Sequence, residues 1–402
     1  MDQPVHDSTQ PAAERSKQVK QRIASLRKQY SRGRDKRLRM AEQLQGASQY
    51  QLMRAKFGKH RLAMVSLALL ALFYFVAIFA DFIAPYDPLQ RFNKAIYAAP
   101  TALHTTDAQG QLSLPFFYTT TSKVDPLTFK YSTVQAKDAK PNHLVLFAPS
   151  KPYELWGFIP AEVKLFGSDT GQPMFLLGAD HLGRDLLSRI IHASRVSLFV
   201  GFGGVIISFL LGVTLGGISG YFGGKIDLVI QRTIELVMSV PQIPLWMALA
   251  AAIPAEWTGI QTYFAITLVL SLVGWTGLAR VVRGRILSMR EEDYVTAARI
   301  SSASSWAIIT RHLVPGFTSY LIVHITISIP YMIIGETTLS FLGIGIRPPD
   351  ISWGSLLQQA QDVVVLSNYI WLLWPAFFVV TAVVLFNFIG DGLRDAADPY
   401  TK

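Results

Sequence analysis

The chain of 402 residues contains no cysteine, and only 16% of its residues are charged, against about 25% in average soluble domains. The lack of cysteine excludes disulfide-stabilised folds, zinc sites with thiolate ligands and cysteine nucleophiles. Few charges combined with 50% hydrophobic residues are typical of a chain that passes through lipid for much of its length. The composition therefore predicts a membrane protein.

Catalytic motifs are missing as well. The sequence has no G-x-x-x-x-G-K-[ST] phosphate loop, and the nearest run, at 219–225, lacks the first glycine. H-E-x-x-H and G-x-S-x-G are absent too. His104 and His143 have no second ligand at metal spacing. We therefore expect a non-catalytic chain with no catalytic residue, no metal site and no cofactor of its own.

Six stretches contain no Asp, Glu, Lys or Arg over about the 20 residues that a helix needs to cross a bilayer. They are 62–80, 196–224, 236–255, 257–279, 313–335 and 363–390. The third is interrupted by Pro241, Pro244 and Pro254, so neighbouring helices or water must satisfy the carbonyls that these prolines free. The pattern predicts an all-α polytopic membrane protein with six transmembrane helices.

Positive charge indicates how these helices are oriented. Residues 1–61 contain 15 Lys or Arg against 5 Asp or Glu, and the rest of the chain has 22 of each. The stretch between spans four and five is also rich in arginine. The positive-inside rule therefore places both stretches, and both termini, in the cytoplasm. Within the basic arm, 14–45 could form a helix on the inner leaflet or a solvated, partly disordered tail.

The segment from 85 to 178 then lies on the opposite side of the membrane. It is mixed in charge and lacks a helical period, and it can contain short strands such as 143–148. We expect a small extracytoplasmic insertion between helices 1 and 2, with some β structure.

Small residues recur at every fourth position of the second span. They are Gly204, Ser208, Gly212, Gly216, Gly220 and Gly224. Such a stripe lets another helix approach closely. Two interpretations stay open: plain helix packing, or a helix that lines a transport pathway and shifts its packing during a cycle.

Ionisable residues in or beside the spans are functional candidates because they are costly in lipid. Asp81 is expected to reach water at the outer end of span one, and Arg232 can pair with Glu235 three positions later. Glu336 follows 23 residues without charge. It could hold a re-entrant turn or face a translocation cavity.

The stretch 280–315 predicts a short helix, a serine-rich turn and a second helix before span five. Ala297 and Ala298 would leave a flat helix face that the groove of a partner can hold. An amphipathic hairpin without a partner fits the composition equally well.

This loop resembles the cytoplasmic coupling segment of type I ABC importer permeases, whose signature is EAA, a glycine three residues later and a downstream LP. The chain as a whole resembles the C-type permease subunit of the dipeptide/oligopeptide/nickel importer family. The supporting stretches are APYDP at 84–88, LGADHLGRDLLSR at 177–189, GYFGGKID at 220–227, LSFLGIG at 339–345, SWG at 352–354 and NFIGDGLRD at 387–395.

The resemblance implies a type I ABC importer transmembrane fold that forms half of a pathway for peptides or a related solute. It implies these partners: two ABC ATPase subunits that bind the ATP, a second homologous permease and an extracytoplasmic solute-binding protein. Membrane lipid is also an expected partner, and nucleic acid is not. The residues expected to contact the ATPase are Tyr294, Ala297, Ala298, Arg299, Ser302 and Ala303. The insertion could contact the binding protein or cap the permease pair.

The boundaries implied by these features are as follows. A basic cytoplasmic arm occupies 1–60, transmembrane helix 1 occupies 61–84, and the insertion occupies 85–178. The ABC transmembrane domain with five helices occupies 179–395, its coupling loop lies at about 285–315, and a cytoplasmic tail occupies 396–402.

The sequence departs from the family pattern at several places. Thr296 stands where the family often has Glu, Gly316 where it commonly has Asn, and Ser302 where it usually has Gly. That glycine permits a left-handed backbone, which costs another residue about 1 kcal/mol, so Ser302 predicts a different or strained turn. The insertion is longer than expected, and residues 1–50 have no counterpart.

Two other classes of protein remain as alternatives. A self-sufficient secondary transporter or channel would require inverted repeats with paired broken helices, and only one interrupted span is visible. A membrane-anchored scaffold that uses the basic arm would not need the loop at 280–315.

Overall fold

The computed structural model describes residues 49–106, 112–136, 140–254 and 256–397. The basic arm up to residue 48 lies outside the described residues, and so does the helix considered for 14–45. The predicted tail is described only up to residue 397.

The described chain consists of a helical bundle and a β-rich insertion. The helices α1 to α7 are Gln49–Phe57, Arg61–Ile78, Ala80–Ile83, Leu186–Phe222, Gly224–Ser239, Gln242–Ala251 and Gly259–Met289. The helices α8 to α13 are Asp293–Ile300, Ser305–Ala307, Thr318–Phe341, Trp353–Leu357, Val363–Asn368 and Trp374–Ala397. A π-helical segment, Ile308–Leu313, and a 3₁₀ turn, Val314–Phe317, join α9 to α10. Two further 3₁₀ turns, Gln358–Gln361 and Ile370–Leu373, precede α12 and α13.

Within the described residues, five helical stretches are long and apolar enough to cross a bilayer. They are α2, α4, α7, the stretch Ser305–Phe341 and the stretch Ile370–Ala397. The third predicted span is different: α5 begins at Gly224, twelve residues before the expected start, and meets α6 at an angle of 89°. Pro241 stands at the break and has no N–H to continue the helix. The third span is therefore a bent pair that begins at Gly224, and not one straight helix over 236–255; counted as one span, the pair gives the predicted six.

The glycines of α4 allow close contact with α7. A Cβ added to Gly216 would lie 2.5 Å from the Ala279 carbonyl oxygen, and one added to Gly220 would lie 2.8 Å from that of Arg283. At the middle of α4, Ser271 Oγ donates to the Gly204 carbonyl over 3.1 Å. Residue numbers rise together along both helices, so α4 and α7 run parallel.

A parallel pair requires the chain between its members to return along the bundle. The return is made by α5, whose Ile234 packs against Trp275, and then by α6, whose Trp246 packs against the backbone of Gly335. The broken pair, third along the chain, therefore brings the number of crossings to six. The last helix, α13, runs back to the start of the bundle, where Gly392 lies against Ala63 and Phe57.

The insertion contains the expected β structure. Its strands β1 to β6 are His104–Thr106, Leu112–Tyr118, Thr120–Val124, Tyr131–Gln135, Pro141–Leu155 and Ile159–Ser168. One antiparallel sheet has the order β1-β2-β5-β6, and β3 pairs with β4 in a second sheet. The predicted strand over 143–148 is part of β5, which confirms that expectation.

Charged groups join α3 to α4 next to the insertion. Asp81 accepts hydrogen bonds from Arg195 at 2.7 and 3.0 Å and lies 3.3 Å from His192. Burial opposes ionisation of Asp81, but the hydrogen bonds from His192 and Arg195 prevail and hold its pKa below the usual range. Its side chain is 18% exposed, so Arg195 and His192 cover most of the carboxylate, and its contact with water stays a prediction. The predicted pair of Arg232 with Glu235 is present at 2.6 Å.

We predict that Gly216→Ala destabilises the protein, because the added methyl would overlap the backbone of α7. Overpacking of this kind costs about 1–3 kcal/mol. The matched control is Gly203→Ala on the same helix, where the nearest atom lies at an ordinary 3.5 Å. Thermal unfolding of the purified proteins in detergent measures the difference. Equal melting temperatures for the two variants would contradict close packing at Gly216.

Candidate functional site: the coupling segment and the membrane cavity

The segment from α8 to the π-helix carries all six predicted contact residues. Val295 is fully buried and Ala298 is 9% exposed, and both pack with Ile308, Ile309 and Leu313 of the following helix. Ala298 therefore belongs to the inner side of α8. The predicted flat face formed by Ala297 together with Ala298 was wrong, because only Ala297 points outward.

The outer face of α8 is mixed, with exposed apolar side chains beside the exposed Asp293, Thr296 and Arg299. Tyr294 is 43% exposed, Ile300 is 80% exposed, and Trp306 on the next helix is 54% exposed. Sequence reasoning missed Ile300 and Trp306. The sequence did contain an indication of this exposed surface. Ile300 is an apolar residue next to Arg299, at a helix end where solvent-facing residues are usually polar.

Ser302 forms the turn that ends α8. Its φ is +59°, in the left-handed region that favours glycine. The N–H of Ser302 bonds to the Arg299 carbonyl over 3.0 Å, and the N–H of Ala303 bonds to the Ala298 carbonyl over 3.1 Å. These two bonds define a Schellman cap. The prediction of strain is confirmed, and the turn keeps the geometry that a glycine would give it.

Arg299 links α8 to the rest of the bundle. Its guanidinium donates to the Arg290 carbonyl over 3.2 Å and lies 5.4 Å from the ring of Tyr221 at the end of α4. Arg290 in turn donates to the Gly220 carbonyl over 3.4 Å. The coupling segment is thus tied to the ends of both α4 and α7.

A second link lies at the same end of the bundle. Arg283 of α7 donates two bonds of 2.6 Å to Asp227 of α5, and Ser219 of α4 donates to the same carboxylate over 2.5 Å. Bidentate pairs of this kind fix orientation as well as distance. Three helices therefore meet at Asp227 beside the coupling segment.

Glu336 is fully buried near the opposite end of α10. Its carboxylate accepts hydrogen bonds from Ser197 over 3.1 Å and from Ser340 over 2.7 Å, and it also bonds to Ser352. Ser197 accepts from the N–H of Trp353, over 3.0 Å. The network joins α4, α10 and α11 and holds the turn that follows α10, as the first of the two interpretations of Glu336 requires. Its role in a pathway stays a prediction.

A cavity of about 170 Å³ lies elsewhere, between α4, α6, α7 and α10. Its polar lining consists of Ser208, Gln242, His324, Ser328 and Tyr331. Apart from Ser208, which the small-residue stripe included, sequence reasoning missed these residues because it counted only formal charge. The signal was His324, an ionisable side chain in the middle of the fifth charge-free stretch.

These features define a class of protein: a polytopic helical membrane protein with exposed apolar side chains on a segment at one end and a partly polar cavity between its helices. Residues 212–402 match the model of the binding-protein-dependent transport system inner membrane component. Residues 48–100 match the N-terminal transmembrane domain of oligopeptide transport permease C. Neither model covers 101–211, which includes the β strands.

Relatives over the matched part are transport permeases. The dipeptide transport system permease protein of Bacillus subtilis is 38% identical over 222 residues, 55% of this chain and 68% of that protein. The oligopeptide transport system permease protein of Haemophilus influenzae is 39% identical over 222 residues, 55% and 69% of the two chains. The glutathione transport system permease protein of Pectobacterium atrosepticum is 35% identical over 226 residues, 56% and 73%.

The chain belongs to the family of C-type permease subunits of dipeptide and oligopeptide ABC transport systems. It is a multi-pass component of the inner membrane with the type I importer fold.

We predict that Ser302→Gly stabilises α8 by up to about 1 kcal/mol, because glycine adopts the left-handed backbone without strain. Ser302→Val should destabilise it, since a β-branched residue fits that region worst. Thermal unfolding of the purified chain should give a higher melting temperature for the glycine variant and a lower one for the valine variant than for the wild type. A lower melting temperature for the glycine variant would refute the strain.

We predict that Glu336→Gln lowers stability by about 2 kcal/mol, since the amide NH₂ cannot accept from a serine as the carboxyl oxygen does, and a buried unsatisfied group costs about 1–3 kcal/mol. The control is Glu235→Gln, whose partner Arg232 is exposed and should change stability little. Melting temperature in detergent is compared with solute selectivity of the assembled transporter. Altered selectivity at an unchanged melting temperature would instead support a pathway role for Glu336.

Proposed function

We propose that this chain forms half of the translocation pathway of an importer for peptides or a related solute, driven by separate ATPase subunits. The observation that supports this most is the pair of exposed apolar side chains on α8, Tyr294 and Ile300, on a helix that is tied to α4 and α7 through Arg299 and Arg290. An isolated transporter would have no use for such a surface. The chain itself would hydrolyse no ATP and hold no cofactor, because ATP would be bound by the partner chains.

The orientation follows from charge and from the arrangement of the helices. The ends of α1 and α13 lie together, since Phe57 and Ala63 contact Gly392. With the broken pair counted as one span, the coupling segment follows the fourth crossing of the membrane. Four crossings return the chain to the side on which it started, so the coupling segment falls at this same end of the bundle. The positive-inside rule makes it the cytoplasmic end, with the N- and C-termini in the cytoplasm. The insertion at 85–178 then lies outside the cytoplasm.

The partners would occupy different surfaces. Two ABC ATPases would bind at the cytoplasmic end, with Tyr294, Ala297 and Ile300 in contact with one of them. A second homologous permease would complete the cavity and the pathway. An extracytoplasmic solute-binding protein would deliver the solute at the other end, where the insertion could receive it or cap the permease pair. Lipid surrounds the bundle, and no nucleic acid partner is proposed.

The links at the cytoplasmic end suggest how ATPase closure would be transmitted. Movement of α8 would pull on Tyr221 and Arg290 through Arg299. Because Asp227 joins α4, α5 and α7, these helices would move as one body. Rocking of that body around a central site is the alternating-access scheme of many transporters. The glycine stripe would serve as the packed core of that body.

The solute class is inferred from the relatives and from the cavity. The relatives are named for dipeptides, oligopeptides and glutathione, all of which carry amide groups. Gln242, His324, Ser328 and Tyr331 provide donors and acceptors for such groups. A peptide or a related amide-containing solute is therefore the proposed cargo.

We predict that Ile300→Asp weakens ATPase binding at least about tenfold, because a central interface residue contributes about 2 kcal/mol and about 1.4 kcal/mol corresponds to a factor of ten. The wild-type chain, tagged and extracted in mild detergent, should bring two ATPases and a second permease with it. The variant should lose the ATPases and keep the permease.

Ile300→Leu is the matched control, because it keeps an apolar side chain of the same volume and should retain the ATPases. Ala298→Asp is a poorer test, since it would disrupt the internal packing of α8. If the wild-type chain purifies alone and transports a labelled dipeptide in liposomes without ATP, the importer proposal fails. The chain would then be a secondary transporter or channel.

A further inference from the structure

The hairpin formed by β5 and β6 ends in a loop that lies against the end of α2. The indole N–H of Trp156 donates to the Ile78 carbonyl over 2.7 Å. The backbone N–H of Trp156 donates to the Asp81 carboxylate over 3.2 Å. Two hydrogen bonds therefore fix the tip of the hairpin at the point where the first transmembrane helix ends.

This point lies at the border of the hydrocarbon layer. The 18 residues of α2 span about 27 Å at 1.5 Å per residue, close to the roughly 30 Å of a bilayer core. The helix begins at Arg61, so Ile78 marks the opposite border. His192 and Arg195 both contact Asp81 at this level, and α4 has no charged residue after Arg195.

An unbroken row of aromatic rings connects the lipid-facing side of α2 to the hairpin tip. The ring centroids of Phe75 and Phe79 are 4.7 Å apart, those of Phe79 and Trp156 are 5.3 Å apart, and those of Trp156 and Phe158 are 6.2 Å apart. Phe75 is exposed on a transmembrane helix, and Phe158 is 70% exposed at the tip. The surface that α2 presents to lipid therefore continues onto the hairpin.

The backbone at the tip adopts the left-handed conformation that favours glycine, yet the residue there is Trp156. Trp156 has a φ of +56° and is followed by Gly157 at +79°. A bulky residue rarely adopts the left-handed region. Such a conformation persists where surrounding contacts hold it, here the two hydrogen bonds of Trp156, and tryptophan is enriched where membrane and water meet.

We propose that the tip of the β5–β6 hairpin inserts into the lipid leaflet at the insertion's end of the bundle. Trp156 lies at the hydrocarbon border with its N–H groups turned to the protein, and Phe158 contacts lipid. The occupant of this surface is lipid because the exposed row of rings continues the lipid-facing side of α2. The proposal depends on the chain spanning the membrane and is independent of the solute and of the ATPases.

The absence of cysteine allows a direct test with single labels. Phe158→Cys places a nitroxide at the tip and leaves Trp156 and both of its hydrogen bonds in place. The matched control is Gln172→Cys, an exposed site beyond the other end of β6. Met174, two residues later, is bonded through Tyr86 to Ser188, which lies about 10 Å along α4 beyond Arg195 at 1.5 Å per residue.

Collision rates with oxygen, which concentrates in lipid, and with a water-soluble nickel chelate are measured in the assembled full-length transporter in lipid nanodiscs. We expect the ratio of oxygen to chelate collisions to be several-fold higher at residue 158 than at residue 172. Equal ratios at the two sites would overturn the proposal, because the tip would then lie in water. Shielding of residue 158 from both probes would also overturn it and would indicate a protein contact, such as the second permease.

Discussion

The close approach of α4 and α7 is the constraint on which the rest of the bundle depends. Glycine at 212, 216 and 220 brings the two backbones within reach of each other, and the contact sets the helices parallel. Because the pair is parallel, the chain at 223–258 must return along the bundle in between. It also follows that α7 ends beside the end of α4, so the segment after α7 can contact both helices. Arg299 and Arg290 make those contacts.

The two ends of the bundle are held by different chemistry. At the insertion's end, Glu336 and its serine partners are fully enclosed, and the buried Asp180 pairs with Arg184 at 2.7 Å and with Arg189. Buried networks of this kind tolerate little displacement, since each lost partner leaves an unsatisfied polar group. At the other end, Arg283 and Arg290 are partly exposed, so water can replace a hydrogen-bond partner that they lose when they move. Under the proposed function, this difference places the stiffer end of the bundle on the insertion's side and the more adaptable end beside the ATPases.

The sequence predicts well those features that depend only on position along the chain, such as where a transmembrane helix lies. A charge is costly in lipid wherever it points, so counting charge-free residues located the helices. Orientation around a helix axis is a different matter, because Ala297 and Ala298 are equally small and only packing against Ile308 decides which one faces inward. For the same reason, the sequence did not show that Ile300 is exposed or which residues line the cavity. The break at Pro241 was visible as an interruption, but the earlier start of α5 at Gly224 depends on the return that a parallel pair requires.

The motifs that carry the family resemblance also explain why the solute is difficult to read from them. Asp180 and Arg189 of the stretch 177–189 pair at the start of α4, Asp227 of 220–227 joins three helices, and Trp353 of 352–354 meets the Glu336 network. These residues hold helix ends together. The residues that line the described membrane cavity, including Gln242 and His324, lie outside all of these stretches. Motifs shared by permeases with differently named solutes would be expected to encode the scaffold, and the residues that distinguish solutes would then lie between them.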